Sequence, residues 1–167
     1  MIGAGPLQVR FTRKRDESVV LDLRRADGTS TWQRRTDATG RFFAVHDLTH
    51  FAVETTLGLR RAFYGLVREG WGLDDFGPPW PKGPLPPEAL RAEMIVGSFA
   101  TAWASGVVPN AADCNAGMDS YADERGIAPL QHVTEDEMLR IREALAPRLR
   151  TWNELPVGRT MELHFSE

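Results

Sequence analysis

The sequence predicts an α+β fold: an N-terminal antiparallel β-meander, rejoined by a C-terminal strand and packed against about three α-helices. Three observations carry this expectation. Apolar and polar residues alternate before residue 36 and again near the C-terminus, which is the period of a half-buried sheet. Between these regions apolar residues recur at helical spacing. A proline-dense stretch interrupts the helical part and leaves the strands intact.

From Gln8 to Arg13, Val9 and Phe11 share one face; from Val19 to Arg24, Val19, Leu21 and Leu23 do. Asp27-Gly28 separates the second run from Ser30–Arg35 and reads as a hairpin with positive φ at both central residues. Phe42 to about Gly70 reads as one long helix. The segment 77–87 holds six of the eleven prolines. It is expected to be an extended connector pinned to the body by Trp80. A second helix runs from about Glu88 to Ser105, ended by Gly106. Residues 109–126 read as a loop with a helical turn around Met118–Glu124. The third helix opens at the Thr134/Glu137 capping box, and Pro147 is expected to kink it or end it early. In Gly158–Phe165, Met161, Leu163 and Phe165 alternate with Thr160, Glu162 and His164 as a closing strand. The domain organisation expected is one domain over 1–167: meander 1–41, motif helix 42–76, connector 77–87, helical part 88–157 and closing strand 158–167.

Composition narrows the function classes. The chain has 167 residues, 42% hydrophobic and 26% charged, with a net charge of −3, an ordinary globular balance. A single cysteine, Cys114, excludes a disulfide framework and a four-thiolate zinc site. No apolar run reaches the length of a membrane helix, and Met1–Pro6 lacks the pattern of a signal peptide. The expectation is a cytoplasmic protein that favours neither membrane nor nucleic acid. Of the 20 basic residues, 18 are arginine, which fits the codon bias of a GC-rich genome. Residues 1–41 carry nine basic and five acidic groups. The local +4 reads as a solvated sheet face whose arginines pair across strands with residues such as Asp22, because no aromatic residues are interleaved for base stacking.

The chemistry-bearing segment is His46-Asp47-Leu48-Thr49-His50-Phe51-Ala52-Val53-Glu54. On a helix, His50 lies about 40° and Glu54 about 80° around from His46, so the three form one stripe. Leu57, Arg61 and Tyr64 continue it, and Gly58 and Gly65 flank it where another backbone or a substrate approaches closely. Imidazoles at i and i+4 are spaced to hold one metal ion. Glu54 is the expected third ligand, with a part in fixing a histidine tautomer as the other reading. Asp47 takes the position of the Glu in His-Glu-x-x-His, as general base or as the group that orients a ligand. Two histidines and one carboxylate leave a position open for water, which suits zinc or iron. A plain solvated polar helix face is the competing reading.

This segment, followed by Leu57-Gly58-Leu59 and Phe63-Tyr64-Gly65-Leu66, resembles a family of short, functionally uncharacterised bacterial proteins with a His-Asp-Leu-x-His-x-x-Val-Glu helix. The resemblance covers about 25 of the 167 residues and implies no activity. Similarity to zinc metallohydrolases is more remote and rests on His46 and His50, with Asp47 in place of the Glu.

Other residues carry weaker expectations. Glu93 is a further metal-ligand candidate, weighed against a solvent-facing Glu paired with Arg91 or Arg61. Arg61 and Tyr64 are candidate substrate-binding groups. Cys114, His132 and His164 read as structural. Ser98 and Ser105 lack a nucleophile-elbow context, and no phosphate-binding loop occurs. The functional expectation is a metal-dependent enzyme of hydrolase type acting on a small molecule or peptide. The alternative is a non-enzymatic binding module whose contact surface is the basic sheet face or the segment 77–87.

Overall fold

The alternating residues of the first and last segments form strands because each run has one wholly apolar face to bury. The computed structural model describes residues 5–166, without the side chains of residues 37–41; the reading of a missing signal peptide falls partly on residues 1–4, outside the described residues. Strands β1 (Leu7–Arg13), β2 (Val19–Arg24), β3 (Ser30–Arg35) and β4 (Thr160–Phe165) form one sheet in the order β3-β2-β1-β4. Every pairing is antiparallel. The N-terminal meander and the closing strand are thus present, and the fold class is α+β. Leu7 and Phe165, Val9 and Leu163, and Phe11 and Met161 face each other across β1 and β4. At the Asp27-Gly28 turn only Gly28 takes positive φ, at 86°. Asp27 contributes through its carboxylate instead, accepting from the Thr29 amide and hydroxyl, as an Asx turn does.

Among the described residues five α-helices form rather than three: α1 (Asp37–Leu57), α2 (Phe63–Arg68), α3 (Pro87–Ala104), α4 (Ala111–Arg125) and α5 (Glu135–Glu154), with a short 3-10 helix at Leu73–Phe76. The long helix expected over 42–70 is broken. Gly58 ends α1 in the left-handed region, φ 63°, and the Leu59 amide closes back on the Glu54 carbonyl, a glycine C-cap. Helix α4 replaces an expected loop. Asn110 caps it by accepting from the Asp113 amide, and it buries only Ala111, Cys114, Met118 and Ala122, so its apolar stripe is too thin to read in the sequence. The Thr134/Glu137 capping box forms as expected, but α5 continues through Pro147 to Glu154. In the connector, Leu85 packs on the cluster of Leu66, Trp71 and Ala89, whereas Trp80 stays exposed.

Helix α1 touches α3, α5, β2 and β3. This central place explains why residues 47–54 are all buried, polar ones included. Phe51 meets Tyr64 and Phe165 at ring-centroid distances of 5.5 and 6.2 Å, joining α1 to α2 and β4. Among the described residues no helix is long and apolar enough to cross a membrane.

Candidate metal centre

A polar stripe on a helix packed from all sides must find partners inside the protein, and it does so ring by ring. His46 Nδ1 lies 3.3 Å from Asp47 Oδ1, and His50 Nδ1 lies 3.3 Å from Glu54 Oε1. Each imidazole therefore has a carboxylate at the same nitrogen. A proton shared there leaves Nε2 as the free ligand atom, the arrangement in which a carboxylate fixes the tautomer of a metal-binding histidine. The two rings stand side by side, centroids 4.8 Å apart.

The third group comes from α3. Glu93 Oε1 lies 3.2 Å from His50 Nε2. One ligand atom from each of His46, His50 and Glu93 lies within 4.8 Å of the others. A tetrahedral ion with bonds of about 2.0–2.1 Å separates its ligand atoms by about 3.3 Å. The His50–Glu93 pair already meets that spacing, and the donor set of two nitrogens and one oxygen fits zinc or iron(II).

Glu54 stands behind His50, on the side away from Glu93, and has a second task. It is fully buried, and its Oε2 accepts the Tyr64 amide at 2.9 Å. Ala62, the residue before α2, offers no side-chain cap, so Glu54 supplies the acceptor at the positive end of that helix. Burial pushes the Glu54 carboxyl up, against the pull of His50 and the amides of Tyr64 and Gly65. Burial alone would lower the His50 pKa, but Glu54 and Glu93 outweigh it and raise the imidazole to about 10. Burial likewise acts to raise the Glu93 carboxyl, yet His50 and His46 bring it below its ordinary value. Both carboxylates thus favour the charged form of the His50 imidazole.

The stripe does not continue past Leu57 to Arg61 and Tyr64 as expected, because α1 ends there. Arg61 is exposed, with its guanidinium 3.6 Å from Glu69 and its amide donating to Glu88. Tyr64 is fully buried and donates its hydroxyl to the Asp47 carbonyl at 2.8 Å. Neither faces the cleft beside the histidines. Gly65 does mark a close approach: a Cβ there would sit 1.8 Å from the Arg60 carbonyl oxygen. The partners expected for Glu93 are engaged elsewhere, Arg61 as above and Arg91 in donating to the Gln131 and His132 carbonyls.

Outside the centre, His132 pairs with Asp119 and His164 with Glu162, both at the surface. Cys114 is buried, and burial pushes its thiol up, the opposite of what a nucleophile needs. No family model matches the chain, and no curated protein or solved structure is significantly similar to it.

Proposed function

We propose that the chain is a metal-dependent enzyme of hydrolase type, with one zinc or iron(II) ion held by His46, His50 and Glu93. The observation that supports this most is the pairing of both Nδ1 atoms with carboxylates while a third carboxylate approaches His50 Nε2. In this reading Glu93 takes the ligand position expected of Glu54, and Glu54 orients His50. Asp47 orients His46, so it acts through the ring and does not itself take a proton from water. Three protein ligands leave a position for water, whose pKa a bound zinc lowers to about 7. Such an ion also polarises a carbonyl or phosphoryl oxygen of the substrate.

The test is metal content. Protein purified without chelator and offered zinc or iron(II) is expected to retain one ion per chain. Glu93→Gln is expected to lose it while remaining folded, because Glu93 is half-exposed and His50 keeps its buried partner Glu54. Wild-type protein that retains no stoichiometric metal refutes the reading.

A second reading is favoured by one feature: His50 has a carboxylate at each ring nitrogen. A protonated His50 would then clamp α1 to α3 in a non-enzymatic binding module, and the metal analysis separates the two.

A further inference from the structure

The histidines and Glu93 line a cleft of about 170 Å³, room for a molecule displacing about five or six waters. Its opposite wall is the edge strand β3. The register sets Arg35 against Val19, Gln33 against Leu21 and Thr31 against Leu23, and all three partners are buried. Cross-strand partners share a face, so Thr31, Gln33 and Arg35 point toward the helices, where a strand ordinarily places apolar side chains. Thr31 has a structural task, accepting from the Leu73 amide at 3.2 Å. Gln33 and Arg35 face the cleft.

Arg35 is held in place by an aromatic ring. Its guanidinium carbon lies 4.2 Å from the Phe43 ring centroid, and the Phe43 ring lies 6.0 Å from that of His46. Stacking on a ring face leaves the in-plane donors of a guanidinium directed outward, ready for bidentate bonds to an oxyanion. Other arginines of the sheet are engaged differently. Arg10 and Arg24 pair with Asp22, Arg34 pairs with Asp16, and Arg25 donates to the Val67 and Trp71 carbonyls. Among the described side chains, which exclude those of residues 37–41, no carboxylate forms an ion pair with Arg35. Phe63, Phe76 and Leu85 give the cleft an apolar wall, suited to a short carbon skeleton.

We infer that this cleft takes a small substrate bearing an oxyanion group, which Arg35 grips in bidentate fashion beside Gln33 while the bond to be cleaved faces His46, His50 and Glu93. This assignment rests on the metal-dependent reading above. Edge strands also carry inward charges to block sheet extension; the stacking of the exposed Arg35 on Phe43 at the wall of the cleft is what directs it to a ligand.

Cobalt(II) loaded into the protein gives a d–d spectrum that reports on its coordination sphere. Succinate is the probe, with succinamide as its uncharged counterpart. Succinate is expected to alter the spectrum of the wild type at lower concentration than succinamide. Arg35→Gln is expected to weaken succinate about tenfold or more, with succinamide and cobalt affinity unchanged. Arg35→Lys is expected to restore succinate binding only in part. Equal succinate affinity in wild type and Arg35→Gln, or no preference of the wild type for succinate over succinamide, overturns the oxyanion assignment while the cobalt spectrum leaves the metal reading intact. Failure of the wild type to bind cobalt overturns both.

Discussion

The outer face of the sheet and the polar stripe of α1 hold the same kinds of residue at nearly the same distances. Outside, Arg10 lies 3.4 Å from Asp22, Arg24 lies 3.3 Å from Asp22, and His164 lies 3.3 Å from Glu162. Inside, His50 lies 3.3 Å from Glu54 and 3.2 Å from Glu93. Burial separates them: the outer side chains are 20% to 59% exposed, whereas His50 and Glu54 are 2% and 0% exposed, and of the inner groups Glu93 alone is open to solvent. Water screens the outer pairs to near neutrality in energy. His50 and Glu54 have lost hydration that their partners must replace, so each depends on the other. Separation alone does not distinguish a decorative ion pair from a chemical site; the surroundings do.

The largest expected effect is inside. Glu54→Ala strips His50 of a partner and the Tyr64 amide of its acceptor, and is expected to cost about 3–5 kcal/mol. Denaturant unfolding of the chelator-treated protein measures it, and a loss under about 1 kcal/mol would erase the contrast between the two faces.

The pH dependence comes next. Burial disfavours the charged imidazole, but the two carboxylates raise the folded pKa of His50 from 6.5 to about 10. The stabilisation it contributes to metal-free protein is therefore fully present below about pH 6.5 and is lost as pH rises through about 10. The same titration on His50→Gln is expected to lack that decline between those limits. A wild type whose stability is flat from pH 7 to 10 would place His50 with the surface histidines.

The smallest effect is outside. Asp22→Asn removes the partner of Arg10 and Arg24, yet is expected to change stability by about 0.5 kcal/mol or less, and by nothing measurable in 1 M salt. A larger, salt-resistant loss would mean that the outer face is structurally as consequential as the stripe.

The same division governs what could be read without coordinates. The strands were legible because Val9, Phe11, Leu21 and Leu23 advertise a two-residue period, and the start of α5 because Thr134 and Glu137 are close neighbours in the chain. Helix α4 was not, because its buried positions are mostly small and its cap is a single asparagine. His46, Asp47, His50 and Glu54 announced themselves through local spacing. Yet the same spacing carried the stripe on through Arg61 and Tyr64, past the left-handed Gly58 that ends the helix. Glu93 and Arg35 could not be placed from the sequence, since one depends on how α3 crosses α1 and the other on the register of β3. Local order along the chain shows which residues are polar, and long-range packing decides which of them meet.

Glu54 serves an imidazole with one oxygen and the first turn of α2 with the other. The candidate centre is therefore a joint between segments and cannot be carried on one helix alone. Transplanting the nine residues His46–Glu54 into another helical scaffold would reproduce the spacing of the rings. It would leave Glu54 with an unanswered oxygen and His50 without Glu93, unless the turn leading into α2 and the crossing of α3 travelled with it. What is portable here is the arrangement of three helices, and the motif is only its most visible part.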